Sequence, residues 1–280
     1  MIRIRIFCSF APSDKCKDVF ERINYSHESS FYGKNKKYYF TNDDDFTHAI
    51  IMNTAMPNLN IPKENVLGLA FEPILFLGLT PTFIEYAKKH IGRYFIGDSH
   101  GLPKPFVEHF AYMWHSRPPK EITFKNKLMS IIVSEKKFAP GHIYRHQLVE
   151  EIIKLNLPID IYGRGSGQYK YNRIMGKFNE DHEPFEMYSF SICIENTICN
   201  DYFSEKIITP LMFNCMPIYL GCRNIQKYVE NFIILEGNLQ KDIMIIMKIL
   251  ENPNMYYKKT YTDKNIKAVD FIQNLPDIFP

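Results

Sequence analysis

Apolar residues in this chain recur in short runs separated by stretches with helical spacing, an alternation that extends from end to end. In MIRIRIFCSF, Ile2, Ile4 and Ile6 repeat with period two, which predicts a strand continuing through Phe7 to Phe10. A Pro-Ser-Asp turn follows, where Ser13 or Asp14 can cap a helix over DKCKDVFERIN. Tyr38 to Phe40 and Phe46 to Met52 predict two more strands, split by the acidic turn Asn42 to Asp45. Val66 to Phe71 predicts another, ending at Glu72-Pro73. Thr82 to His90 has helical spacing, and Tyr94 to Ile96 reads as a short strand running into the turn GDSHGLPKP. Beyond Trp114 the aromatics give way to the proline-rich, basic stretch Ser116 to Lys127, the expected linker.

The pattern then restarts. Leu128 to Val133 predicts a buried strand, His142 to Leu155 a helix, and Ile159 to Tyr162 a strand leading into GRGSG. Asn179 to Met187 reads as a polar, acidic connection. The stretch from Phe190 to Asn224 runs apolar strand, polar turn, amphipathic helix, second strand and glycine turn, which is one βαβ unit. Phe232 to Leu235, the helix Leu239 to Leu250 and a last helix near Asn265 to Gln273 complete the chain. Strands alternating with helices predict an α/β protein, and the restart favours two doubly wound domains in tandem over one very wide sheet. The expected boundaries are 1–120 and 121–260, with residues 261–280 a helix and tail that can pack back on the first domain.

Composition narrows the class. Of 280 residues, 45% are apolar and 15% aromatic, enough for a sizeable core. The net charge is +3, from 34 basic and 31 acidic residues mixed along the chain, so nothing demands a nucleic-acid partner. Cys8, Cys16, Cys193, Cys199, Cys215 and Cys222 form no CxxC pair and no zinc spacing, and are expected to be reduced thiols. No run approaches the roughly 18 apolar residues that span a bilayer, and the N-terminal alternation is not the apolar core of a signal peptide. A cytoplasmic protein with at most peripheral membrane contact is expected.

The chemistry concentrates in IENTICNDYFSEK. The strand ends near Glu195-Asn196 and a helix starts near Ser204 or Glu205, so backbone N–H groups there favour an anion. Lys206 stands in the first helical turn, where a cation opposes the helix dipole unless a diphosphate lies between them. Glu205 can accept hydroxyls of a ribose or sugar, and Asn196 and Tyr202 can bind polar groups or stack. The alternative is that Glu205 caps its own helix and Lys206 is a solvated surface lysine.

The ordered set F-x-I-x-x-E-N, D-Y-x-[ST]-E-K-I and P-I-Y-x-G resembles the donor-binding signature of the α-1,3-fucosyltransferase family, glycosyltransferase family ten. Here it is Glu195-Asn196, Asp201-Tyr202, Glu205-Lys206-Ile207 and Pro217-Ile218-Tyr219 with Gly221, over about 35 residues. The resemblance implies a GT-B-like fold, two Rossmann-type domains facing a cleft, with the donor nucleotide on the C-terminal one. It implies an inverting transfer of L-fucose from GDP-fucose to a glycan hydroxyl, with no metal required. The family's phosphate-binding Arg falls on Arg145, whose alternative is a surface ion pair with Glu151 or a neighbour. The family's proposed base falls on Glu72, with Pro73 after it as in the family. Members often carry a richer acidic motif there, whereas this chain has Phe71 and a single carboxylate. His100 and His115 are alternative bases, and Asp43, Asp44 and Asp45 are read as a solvated turn rather than a metal site. Two other readings stay open: a UDP- or dTDP-sugar donor on the same fold, and a degenerate glycan- or nucleotide-binding protein. A chain that begins directly with a strand looks like a bacterial or viral member, working in the host cytoplasm if viral.

Overall fold

Two parallel sheets organise the chain in the computed structural model, which describes residues 1–23 and 30–280. The first comprises β1 (Ile2–Cys8), β2 (Tyr38–Phe40), β3 (His48–Met52), β4 (Val66–Leu69), β5 (Arg93–Ile96) and β6 (Phe106–Glu108), in the order β2-β1-β3-β4-β5-β6. Helices α1 (Ser13–Ile23), α2 (Ile74–Leu77) and α3 (Pro81–His90) lie between these strands in sequence. All four residues of β4 and four of the five in β3 are buried, because helices and loops cover both faces of a parallel sheet. Gly68 on β4 is required by packing: a Cβ there would overlap the Tyr94 ring.

The second sheet comprises β7 (Lys127–Ile132), β8 (Asp160–Tyr162), β9 (Ile174–Gly176), β10 (Tyr188–Ile194), β11 (Met216–Leu220) and β12 (Ile233–Ile234), in the order β12-β11-β10-β7-β8-β9. Its helices are α4 (Pro140–Lys154), α5 (Glu183–Glu186), α6 (Glu205–Met212), α7 (Leu239–Glu251), α8 (Pro253–Tyr256) and α9 (Asp263–Val269). Met129, Ile131, Phe190, Ile192, Met216 and Ile218 from the three central strands form the core with Leu148, Val149 and Ile152 of α4 and Ile246 of α7. The last helix, α10 (Leu275–Ile278), belongs with the first sheet, where the Tyr38 hydroxyl donates to the Phe279 carbonyl at 2.7 Å and Arg93 to that of Ile278.

The chain thus divides into two units. One holds Met1–Trp114, Cys199–Tyr202 and Val269–Pro280, the other His115–Ile198 and Phe203–Ala268. The long buried strands are close to where the apolar runs predict them. β1 stops at Cys8 rather than Phe10, since the backbone there turns toward α1. Ser13 does not cap α1: its hydroxyl donates to the Ile6 carbonyl, while Asp14 accepts the Lys15 N–H at 2.8 Å. The predicted last residue of that helix, Asn24, lies outside the described residues. The helix expected near Asn265 to Gln273 is α9, which starts and stops earlier, at Asp263 and Val269. The short elements β6, β9, α2 and α5, three or four residues each, escape a hydrophobic-pattern reading. No helix among the described residues is long and apolar enough to cross a membrane.

Candidate functional site

In the second unit the strand order turns at β7 and β10, and the carboxyl ends of two such strands are where open α/β sheets bind ligands. α4 follows β7, and α6 follows β10. Gly141 in the first turn of α4 donates its N–H to the Asn196 carbonyl at 3.0 Å. A Cβ on Gly141 would lie 1.8 Å from the Glu195 carbonyl oxygen, so only glycine lets the helix start against this strand end.

Arg145, one turn further along α4, is buried, and its Nη2 donates to the Ile194 carbonyl at 2.7 Å and to Asn196 Oδ1 at 3.4 Å. This is not the surface ion pair named as its alternative; Glu151 pairs with Lys154, at 2.9 Å. His142 lies between Gly141 and Arg145 in sequence. Its Nδ1 accepts the Ala139 N–H at 3.3 Å, and its ring also hydrogen-bonds Asn196. Burial and then the Arg145 charge push this imidazole below its ordinary pKa, which keeps it neutral. Sequence reasoning did not single out His142; its place in the helical turn ahead of Arg145 was the available signal.

Ser204 caps α6, its side chain accepting the Lys206 N–H, and its hydroxyl also accepts from Lys206 Nζ at 3.0 Å. Glu195 is 1% exposed, and its two carboxylate oxygens accept the Ser204 N–H and hydroxyl. Gly221 makes room for it: a Cβ there would come within 2.4 Å of Glu195 Cγ and of the Tyr219 hydroxyl. The glycine of P-I-Y-x-G therefore serves the glutamate that opens the motif.

Lys206 Nζ lies 2.9 Å from Glu205 and 3.6 Å from Glu195. Desolvation acts to lower the lysine's pKa, but Glu205 and then Glu195 carry it above its ordinary value. Desolvation raises Glu195, against the pull of Lys206. At Glu205 the desolvation is outweighed by Lys206, and the half-exposed carboxyl ends below its ordinary value. Two cations and two carboxylates thus share the start of α6 and the end of β10, and the outer carboxylate, Glu205, is the one open to solvent. Of the residues expected at the donor, Arg145, Glu195, Asn196, Glu205 and Lys206 come together here.

Tyr202 and Glu72 belong to the first unit. Tyr202 is buried, with Gly97 so close that a Cβ would come 2.7 Å from Tyr202 Cβ, and Asn200 N–H donates to Asp98 at 3.0 Å. Glu72 follows β4. The preceding Phe71 donates its N–H to Asn53 Oδ1 at 2.8 Å, and Phe71 packs on Phe10 and Trp114. His100 lies in the loop after β5 with positive φ. His115 is buried, its Nδ1–H donating to the Ser116 carbonyl at 2.8 Å and its Nε2 without a hydrogen-bond partner. Asp44 and Asp45 pair with Arg5 and Arg3, and Asp43 accepts from Thr41. Among the described residues, no three His, Cys, Asp or Glu side chains group as a metal ion would require.

Residues 122–269 match the family model for glycosyltransferase family 10 (fucosyltransferase), C-terminal part. Alpha-(1,3)-fucosyltransferase B of Drosophila melanogaster is 31% identical over 124 residues, 40% of this chain and 28% of that protein. GDP-fucose protein O-fucosyltransferase 3 of Xenopus laevis is 25% identical over 122 residues, 40% of this chain and 26% of that protein. The matches therefore span little more than a quarter of these curated relatives. Among solved structures, an alpha1,3-fucosyltransferase with GDP-fucose aligns over 99% of this chain and 90% of its own, with TM-score 0.57 and 14% identity. S. aureus TarM aligns over 82% of this chain and 53% of its own, with TM-score 0.52 and 10% identity. These likenesses show the fold, two parallel-sheet α/β domains of the GT-B class.

Proposed function

We propose, since the chain belongs to glycosyltransferase family 10, the fucosyltransferases, that it moves L-fucose from GDP-fucose to a hydroxyl of a glycan with inversion. The observation that carries this reading is the placement of Arg145, from α4, and Lys206, from the start of α6, at the end of β10, with Asn196 and Glu205 beside them. The solved protein of the same fold that holds GDP-fucose, and the matched relative named for GDP-fucose, support that donor.

In such a transfer the acceptor oxygen bonds to the anomeric carbon while the bond to the diphosphate breaks on the opposite face. Negative charge accumulates on the departing diphosphate, and preorganised cations lower the barrier most where that charge develops. Lys206 gives an ammonium held by Ser204 and Glu205, and Arg145 a guanidinium already oriented by the Ile194 carbonyl. With these two cations the reading needs no metal. Glu205 accepts ribose or sugar hydroxyls, Asn196 and Tyr202 contribute polar or stacking contacts, and Glu195 holds Ser204 and so Lys206 in place. Glu72 takes the acceptor proton, a role supported by the resemblance. We place the reaction in the cytoplasm, a host's if the source is viral, which suits six cysteines without a disulfide.

Calorimetric titration with GDP, UDP and dTDP tests the donor, with GDP expected to bind best; no binding by any of them overturns the enzyme reading. For the base, Glu72→Gln is expected to leave GDP binding intact and to lower turnover by about 10²–10⁴. Full turnover in that variant would move the role to another group, beginning with His100.

A further inference from the structure

The first sheet has a switch point of its own. From β1 the chain crosses to β2 on one side and from β3 to β4 on the other, so the carboxyl ends of β1 and β3 mark a place where α/β sheets hold ligands. Phe10 stands two residues past β1, Asn53 directly past β3, and Phe71 with Glu72 just past β4, all in the first unit. Phe10 is 50% exposed, yet it is not a loose surface side chain. Its ring centre lies 6.2 Å from that of Phe71 and, edge to face, 5.6 Å from that of Trp114, which meets Phe71 in the same way at 5.6 Å. The fully buried Phe20 of α1 packs edge to face on both Phe71 and Trp114. Buried rings thus hold Phe10 in place while half of it faces solvent.

Polar groups adjoin these aromatics. Asn53 has a left-handed backbone, φ 51°, and its Oδ1 accepts the Phe71 N–H at 2.8 Å, while its Nδ2 donates to none of the described residues. Glu72 brings a carboxylate next to Phe71 in the chain. The Trp114 indole N–H is buried without a hydrogen-bond partner among the described residues, which sets this cluster apart from a finished core, where buried donors are paired. A lipid tail or an apolar helix laid on Phe10 would desolvate such groups without pairing them. A β-linked hexopyranose meets both requirements. Its axial C–H groups lie on one face and suit the negative face of an aromatic ring, and its hydroxyls project around the rim toward polar partners.

We propose that Phe10, held by Phe71 and Trp114, is the stacking platform for the acceptor sugar, which lies on it as a β-linked hexopyranose with Asn53 Nδ2 donating to one of its hydroxyls. This rests on the glycosyl-transfer reading above and adds the acceptor's contacts to it. The sugar is held beside the residue to which that reading gives the acceptor proton, Glu72. Anomeric selectivity follows from the stacking. The anomeric oxygen of an α-linked hexose is axial and projects from the face that a β-linked one offers to the ring, so it lifts the sugar off Phe10.

Trp114 is the single tryptophan of the chain, so its fluorescence reports on the platform directly. The experiment titrates the full chain with methyl β-D-galactopyranoside, methyl α-D-galactopyranoside and the open-chain polyol sorbitol, with GDP calorimetry in parallel. A saturable change in emission is expected with the β-glycoside, weaker binding with the α-glycoside and no saturable change with sorbitol. Phe10→Leu keeps an apolar side chain without a ring and should weaken the β-glycoside about five- to tenfold, whereas Phe10→Tyr should retain it. Equal urea midpoints check that both variants fold, as a half-exposed position allows. No saturable response to the β-glycoside, the same response to sorbitol, equal binding of the two anomers, or full affinity in Phe10→Leu overturns the proposal. GDP binding without a sugar response removes the platform and leaves the donor reading standing, and a sugar response without GDP binding does the reverse.

Discussion

The Glu195 carboxylate is hydrogen-bonded through both oxygens to Ser204, accepting its backbone N–H at 2.8 Å and its hydroxyl at 2.7 Å. The pair ties the end of β10 to the cap of α6 and presents Lys206 from the first turn. Glu195→Ala leaves a buried N–H and hydroxyl unpaired, which costs about 1–3 kcal/mol. A lower urea midpoint is expected, and weaker GDP binding as Lys206 loses its framework. Glu195→Gln retains an acceptor oxygen and should fall between the two.

Lys206→Ala removes the ammonium at the start of α6 while leaving the Glu195–Ser204 framework in place. A charge-assisted hydrogen bond is worth about 1.5–3 kcal/mol, so GDP should bind about 10–100-fold more weakly in calorimetry. Lys206→Arg is expected to recover part of this. Arg145→Lys keeps charge but loses the planar fork, and should weaken GDP while the Ile194 carbonyl loses its best donor.

Gly141→Ala is expected to disrupt the site without touching a charge. The new Cβ would stand 1.8 Å from a backbone carbonyl oxygen, so α4 must retreat from the end of β10. Such overpacking costs about 1–3 kcal/mol, occasionally more, and GDP affinity should fall with it. Gly167→Ala is the control, with nothing within 4 Å of the added methyl. Its unfolding midpoint should match that of the unaltered protein.

Acid should destabilise the fold partly through His115. Burial lowers its imidazole from 6.5 to about 4, so between these values the unfolded chain binds a proton that the folded chain does not. Stability present above the upper value is therefore lost as pH falls toward the lower one, by at most about 1.4 kcal/mol per pH unit. His48, His142 and His146 are displaced downward as well and act in the same direction. Urea unfolding at about pH 7.5 and about pH 4.5 should show a smaller loss in His115→Gln than in the unaltered protein.

Residue order alone was enough to place the central strands and the βαβ unit from Phe190 to Asn224. Parallel strands buried on both faces must be continuous apolar runs, and glycines and caps punctuate them. It was also enough to carry the family, because the residue types of the donor motif recur with the family's gaps. Which of those residues face a ligand was decided by tertiary structure. Glu195 is occupied with Ser204 only because Gly141 and Gly221, from elements far apart in sequence, leave room around it. Arg145 stands on a helix that also carries Glu151 but meets the Ile194 carbonyl, 49 positions away. Local pattern is set by interactions a few residues apart, whereas burial, hydrogen-bond partners and pKa depend on what the fold brings from elsewhere.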